Sequence, residues 1–279
     1  MTRDAGVEGL VPSSRGGEGL LDLVRVQARL RAPDGCPWDR EQTHGTLARH
    51  LLEETHELLE AIDAEDDPAI RDELGDLLLQ VTFHAQIAAE DGRWDIDDVA
   101  DTLVAKLIHR HPHVFGDVDV TGADEVLVNW EKLKAEESGG RKAVDEDIPA
   151  TLPALARAAK VQRRAAGWGF SWRTPEQALE KLREEVGELA EAATDPVRAE
   201  EELGDVLLAI VAVARELGLD AESALRRATT RFADRAERTL ALATDRGLDP
   251  EALDEAELLA LYREAKEADA PGRTPTRGA

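Results

Sequence analysis

Apolar residues recur every three to four positions along most of this 279-residue chain, a period that predicts helices rather than strands. The spacing begins at Leu20 and stops at Pro33, which predicts a short amphipathic helix. The Pro- and Gly-containing segment 33–39 then predicts a loop. Further helices are predicted over 43–63, from 67 to about 92, from 95 to before 112, over 123–137, over 152–166, from 174 and 195, over 220–238, and from 254.

Several of these helices have a recognisable start signal. A Thr or Asp followed directly by Pro pairs a side-chain N-cap with a residue that favours the first helical turn. This signal predicts N-caps at Asp67, Thr174 and Asp195. Thr43 is a predicted N-cap without the proline, and further helices are predicted to start at or near Asp95, Asp220 and Asp254.

The chain repeats itself. EETHELLEA at 53–61 matches EEVGELAEA at 184–192 with an offset of 131, and ELGDLLL at 73–79 matches ELGDVLL at 202–208 with an offset of 129. We expect the two-residue difference in the loop between the two helices, where deletions are tolerated. The fold class is therefore all-α, with two tandem copies of one four-to-five-helix unit. The predicted organisation is a tail at 1–18, a first repeat at 19–137, a linker at 138–150, a second repeat at 151–267 and a tail at 268–279.

Net charge narrows the choice of partners. The chain carries 34 Lys and Arg against 59 Asp and Glu, a formal net charge of −25. A nucleic-acid-binding protein would have a basic surface, and an anionic membrane would repel this chain, so we expect neither partner. A single cysteine and the lack of a long apolar run favour a cytoplasmic location.

Each repeat contains the pattern E-E-x-x-E, followed one helix later by E-x-x-D. Residues three apart share a helix face, so antiparallel packing of the two helices would bring four carboxylates together. The carboxylates are Glu53, Glu54, Glu57, Glu73 and Asp76 in the first repeat, and Glu184, Glu185, Glu188, Glu202 and Asp205 in the second.

Converging carboxylates repel one another unless cations lie among them or some are protonated. A set of oxygen ligands without Cys or His suits Mg²⁺ or Mn²⁺, which commonly bridge phosphates and activate water. A solvated acidic face is the alternative. The metal site is favoured because each E-x-x-D opens a strongly apolar helix and because the pattern occurs twice.

Taken together, these motifs resemble the MazG family of nucleoside triphosphate pyrophosphohydrolases. The resemblance covers nearly everything from Leu20 to Lys266. It also includes GCPWD at 35–39, KLIHRHPHVFGD at 106–117, NWEKLK at 129–134 and LPALARAAKVQRRAAGWGF at 152–170. It implies an all-α homodimer that cleaves nucleoside triphosphates with Mg²⁺ between the α- and β-phosphates. The products would be a nucleoside monophosphate and inorganic diphosphate. The enzyme would serve in nucleotide clean-up or in a stress response.

The resemblance also implies roles for individual residues, with the second repeat as the nucleotide site. The implied metal ligands are Glu185, Glu188, Glu202 and Asp205, and the implied nucleotide contacts are Lys181, Arg231, Arg235 and Tyr262. Glu184 or one of the ligands would hold the attacking water. In the first repeat the carboxylates above, with Lys106, Arg110 and Trp130, form a similar set whose activity is left open.

Two alternatives remain open from the sequence. One is a relative of narrow specificity, acting on dUTP, a damaged nucleotide or (p)ppGpp. The other is a helical regulatory or scaffold protein without turnover. Both carboxylate sets are complete, which favours an enzyme over a scaffold.

Overall fold

The computed structural model describes residues 16–120, 122, 126, 133, 143–172 and 174–268, and every regular element in them is helical. The all-α prediction is therefore confirmed. The chain divides into two compact units, Met1–Lys142 and Ala143–Ala279, and the division falls within the predicted linker. The other predicted boundaries stay predictions. Most of the predicted helix 123–137, with Trp130, lies outside the described residues.

The first unit is built around two long helices joined by a short turn. Helix α3 (His44–Asp63) packs along α4 (Asp67–Glu90), and α1 (Glu18–Arg31) packs against α4. Leu47 of α3 and Phe83 and Ile87 of α4 form a buried apolar cluster. The other helices of this unit are α2 (Pro37–Glu41), α5 (Ile96–Arg110) and α6 (Pro112–Phe115).

The second unit repeats this arrangement with smaller buried side chains. Its helices are α7 (Ala154–Ala166), α8 (Pro175–Ala192), α9 (Pro196–Glu216), α10 (Ala221–Asp245) and α11 (Glu255–Ala268), with a 3₁₀ turn at Pro250–Ala252. Helix α8 packs along α9, α7 contacts α9 and α10, and α10 packs against α11. Ala178, Ala192, Ala209 and Ala212 are buried, and their small side chains let the helix backbones approach closely.

The predicted N-caps Thr43, Thr174 and Asp195 are confirmed, and the helix starts predicted at Asp95 and Asp220 are N-caps as well. Each of these side chains accepts a hydrogen bond from a backbone N–H in the first turn. At Asp254 the Asp254 carboxylate accepts from the Glu257 N–H, and Glu257 accepts in return from the Asp254 N–H.

The prediction of Asp67 as an N-cap is wrong. Asp66 caps α4, and its carboxylate accepts from the backbone N–H of Ala69 at 3.2 Å. Asp67 is the first helical residue and Pro68 the second. The first turn tolerates proline because its N–H groups have no partner within the helix. An Asp-Pro pair therefore fixes the cap only to within one residue.

Two other predicted boundaries change. Helix α2 begins at Pro37, inside the segment 33–39 predicted as a loop, because the fixed φ of proline favours the first helical position. Helix α10 continues to Asp245 rather than ending at Arg238. Its extra turns bury Thr239 and Ala243, and this burial stabilises helix beyond the predicted end.

The two-residue difference between the repeats lies in a helix and not in a loop, contrary to the prediction. Three residues join the long helices in each repeat, 64–66 and 193–195. Helix α3 instead runs two residues further beyond Glu57 than α8 runs beyond Glu188. Both connections end at an Asp that caps the next helix, so the turn has the same length in both repeats. The two extra residues of the first repeat therefore lie at the end of α3.

Arg31 at the end of α1 ties three parts of the first unit together. Its guanidinium donates hydrogen bonds to the backbone carbonyls of Asp39 and Gln42. It also forms a bidentate ion pair with Glu90, with Nε 2.9 Å from Oε1 and Nη2 2.7 Å from Oε2. It also lies 5.5 Å from the centre of the Phe83 ring. The Arg31 side chain is only 7% exposed, so these contacts replace the water that would otherwise solvate the charge.

Within the described ranges, none of the helices is long and apolar enough to cross a membrane.

Candidate metal and nucleotide site

Three carboxylates of the second repeat meet between α8 and α9. Glu185 on α8 and Glu202 and Asp205 on α9 each offer an oxygen, and these oxygens all lie within 4.8 Å of one another. Glu185 is buried, Glu202 is partly buried and Asp205 is exposed. We call these residues the second-repeat trio. The E-x-x-D spacing places two of them on one helix face, and packing of α8 on α9 supplies the third.

Glu188 borders the second-repeat trio. Partial burial raises the pKa of its carboxyl, and the nearby charges of Glu185 and Glu202 raise it further. Repulsion of this kind indicates that Glu188 lies close enough to Glu185 and Glu202 to interact with both.

Two cations of the chain compensate the second-repeat trio. Lys181 Nζ lies 2.8 Å from Glu184 Oε1 and 2.7 Å from Glu185 Oε1, and these hydrogen bonds raise the pKa of the lysine. Arg198 Nε lies 3.3 Å from Glu202 Oε1. Arg198 is not among the site residues predicted from the sequence. Its position four residues before Glu202 on the same helix was the available signal.

The first repeat gathers a different set of three. Oxygens of Glu54, Glu57 and Glu73 lie within 4.8 Å of one another, and we call these residues the first-repeat trio. Burial, followed by repulsion from neighbouring carboxylates that include Asp76, raises the pKa values of Glu54 and Glu73. Asp76 therefore lies beside its trio, whereas its counterpart Asp205 belongs to the trio of the second repeat.

The first repeat also carries fewer cations at this place. The offset of 131 aligns Lys181 with His50, whose Nδ1 lies 3.0 Å from Glu53 Oε2. The offset of 129 aligns Arg198 with Ala69, which has no charge. The first-repeat trio therefore lacks counterparts of both Lys181 and Arg198.

The remaining predicted nucleotide contacts lie on α10 and α11. Arg231 and Arg235 are one turn apart on α10, and Tyr262 on α11 lies with its ring centre 6.0 Å from that of Phe232. A groove of about 360 Å³ lies between these two packed helices. It is lined by Phe232, Ala236, Thr239, Leu240, Leu258, Leu259 and Tyr262. The structure thus brings Lys181 to the carboxylates and Tyr262 to this groove. In the first repeat, Lys106 and Arg110 lie one turn apart at the end of α5.

The chain is a tandem-repeat helical protein, and each of its two units holds a trio of carboxylates between its long helices. Carboxylate oxygens are ligands that hard cations prefer. The family described as the MazG nucleotide pyrophosphohydrolase domain matches residues 42–115 and 173–239, the segments that carry both trios. The chain belongs to the MazG family.

Two relatives match nearly end to end. The nucleoside triphosphate pyrophosphohydrolase/pyrophosphatase MazG of Thermotoga maritima is 46% identical over 249 residues, which are 89% of this chain and 96% of the relative. The nucleoside triphosphate pyrophosphohydrolase of Escherichia coli K12 is 44% identical over 239 residues, 83% of this chain and 91% of the relative.

Proposed function

We propose that this chain hydrolyses nucleoside triphosphates to nucleoside monophosphates and diphosphate, with Mg²⁺ as cofactor and the second repeat as the main site of turnover. The observation that carries the proposal is the second-repeat trio, held between two packed helices with Lys181 against it. The names of the two relatives support the same reaction class.

The residues present fit a hard divalent cation. All donors of the trio are carboxylate oxygens, the type of ligand that Mg²⁺ and Mn²⁺ prefer. Glu185, Glu202 and Asp205 would hold the ion. The ion, when bound, would neutralise phosphate charge and make a bound water more acidic.

The chain's own residues supply the other tasks. Lys181 is placed to bind phosphate oxygens next to the trio, where the chain's net charge of −25 would otherwise repel the substrate. Glu188 borders the trio, and we propose that its carboxylate holds the attacking water. Arg231 and Arg235, one turn apart, would bind phosphate oxygens, since a guanidinium can bind them in pairs.

The groove between α10 and α11 would receive the base, stacked on Tyr262. Its lining is almost entirely aliphatic or aromatic. The Thr239 hydroxyl already donates to the Arg235 carbonyl at 2.7 Å. Few groups are left to read the edge of a base, so we propose that several bases are accepted, as a clean-up role requires.

The reaction is tested with ATP and by chelation. We expect AMP and diphosphate as products, loss of turnover in excess EDTA, and recovery with Mg²⁺ or Mn²⁺. Chromatography of the products from a panel of nucleotides that includes dUTP measures both the bond cleaved and the breadth of specificity. Release of ADP and orthophosphate, or full turnover in EDTA, would contradict the proposal. Turnover of a single nucleotide would support the narrow-specificity alternative.

We also propose that the chain forms a homodimer through an apolar stripe that both repeats expose. Leu203, Leu207 and Ile210 on α9 occupy the same positions as Leu74, Leu78 and Val81 on α4, and all six are between 39% and 51% exposed. Water-exposed leucines at such spacing are typical of a face that packs against a partner. A second copy of this chain is the occupant we propose.

Leu78→Asp combined with Leu207→Asp is expected to dissociate the dimer, because it would bury a charge in each stripe. Analytical ultracentrifugation of the wild type and the double variant measures this. Val197→Asp is the matched control, since Val197 is exposed near the start of α9 and is not part of the stripe. A monomeric wild type, or a double variant that stays dimeric, would show that the stripes are not the interface.

A further inference from the structure

Lys181 and the second-repeat trio share one carboxylate. Lys181 Nζ lies 2.7 Å from Oε1 of Glu185, and Glu185 also contributes an oxygen to the group it forms with Glu202 and Asp205. An ammonium and a divalent cation at this place would therefore compete for the same buried acid. Lys181 is at the same time one of two cations, with Arg198, that pair with carboxylates of the trio in the part of the chain that the structure describes.

We propose that Lys181 is an exchangeable counter-ion: a divalent cation displaces its ammonium from Glu185, and the released ammonium binds the triphosphate. The inference rests on the proposed function and adds a regulation of the same site. Metal and nucleotide then favour each other's binding. The metal takes Glu185 away from Lys181, and the nucleotide takes Lys181 away from Glu185. Such coupling is reciprocal.

The local geometry suits an exchange. Lys181 lies four residues before Glu185 on α8, and its side chain is 36% exposed on a flexible four-carbon stem, so the ammonium can swing towards solvent. Glu185 is 9% exposed, so it is costly for this carboxylate to lose one cation without gaining another. Removal of the lysine and arrival of the metal are therefore coupled events.

The two repeats differ at this point. In the first repeat, His50 stands at the position of Lys181 and contacts Glu53, the counterpart of Glu184. A histidine side chain is shorter than that of a lysine, and His50 contacts Glu53 rather than a member of the first-repeat trio, so it competes less for the carboxylates of that trio. The exchange is thus assigned to the second repeat.

The test is the affinity for Mn²⁺ alone, without nucleotide, measured from the free-ion signal in electron paramagnetic resonance. All proteins carry Glu57→Gln and Asp76→Asn, so that the second repeat dominates binding. Lys181→Met is expected to bind Mn²⁺ about tenfold more tightly, the scale of one charge-assisted contact, because the internal competitor is gone. A lysine that only binds phosphate would leave Mn²⁺ affinity unchanged.

Three further variants make the result specific. Lys181→Arg keeps a cation and is expected to bind Mn²⁺ like the parent, and Lys181→Gln provides a second neutral side chain. Arg183→Met removes an exposed cation two residues away and should change the affinity by less than about twofold, because exposed charges are screened. Circular dichroism checks that every variant is folded.

A second measurement follows the other half of the exchange. With a non-hydrolysable triphosphate analogue, Lys181→Met is expected to bind the nucleotide about tenfold more weakly although its metal binding has improved. Unchanged or weaker Mn²⁺ binding by both neutral variants would overturn the exchange and leave the proposed reaction intact. If the parent bound no Mn²⁺, both the exchange and the metal requirement of the proposed function would be wrong.

Discussion

Asp205→Asn and Glu188→Gln are each expected to lower kcat/KM by about 10²-fold or more, equivalent to about 2.7 kcal/mol of transition-state stabilisation. Asp205 belongs to the second-repeat trio and Glu188 borders it. Each substitution keeps the size of the side chain and removes one negative oxygen. The site then loses affinity for the metal or the placement of water. Purified variants are compared at saturating Mg²⁺, with circular dichroism to check folding.

The matched controls are the equivalent changes in the first repeat, Glu57→Gln and Asp76→Asn. We expect them to change turnover much less, because the first-repeat trio lacks counterparts of Lys181 and Arg198 to receive a triphosphate. They also relieve repulsion with Glu54 and Glu73, so stability without metal is expected to stay equal or rise. Dead first-repeat variants with active second-repeat variants would reverse the assignment.

Arg31→Met is expected to lower the free energy of unfolding of the first repeat by about 2 kcal/mol. The substitution removes the hydrogen bonds that the guanidinium donates to the carbonyls of Asp39 and Gln42 and to the carboxylate of Glu90. Methionine fills most of the apolar volume of the arginine stem, so the loss reports the polar contacts. Urea denaturation measured by circular dichroism at pH 7 gives the difference.

Arg29→Met is the control on the same helix. Arg29 makes a two-pronged pair with Asp34, at 2.7 and 2.9 Å, yet its side chain is 61% exposed. Exposed pairs contribute little, so a loss of less than about 1 kcal/mol is expected. Equal losses for both arginines would mean that burial does not set the difference.

The contribution of Arg31 should also depend on pH. Hydrogen bonds from Arg31 hold the pKa of Glu90 below its usual 4.5, against the opposing effect of burial. A lowered folded-state pKa gives stability that is present above 4.5 and lost as the pH falls through the folded value. The difference between wild type and Arg31→Met should therefore shrink in acid, and a constant difference would exclude Glu90 as its source.

The helical units were predictable because their signals are local. A period of three to four residues and a capping side chain act within one or two turns of backbone, so N-caps such as Thr174 and Asp195 follow from the sequence alone. Asp66 shows the value of the repeat. The offset of 129 aligns Asp66 with Asp195, whereas the Asp-Pro pair alone indicates Asp67.

The composition of each trio was not predictable in the same way. The sequence places Glu54 with Glu57 and Glu202 with Asp205 on shared helix faces, but it sets no distance between two helices. The repeats differ by two extra residues in α3 and in their core side chains. They also differ in their trios, because the first includes Glu57 whereas the second includes Asp205.

The sequence by itself determined that this protein is all-helical, duplicated, strongly acidic and a member of the MazG family, because these properties depend on composition, period and motif order. Only the tertiary structure decided which carboxylates of neighbouring helices meet, and that Tyr262 lines an apolar groove. The physical reason is that helix propensity and capping act over a few residues, whereas contacts between helices depend on side-chain volumes across the whole core.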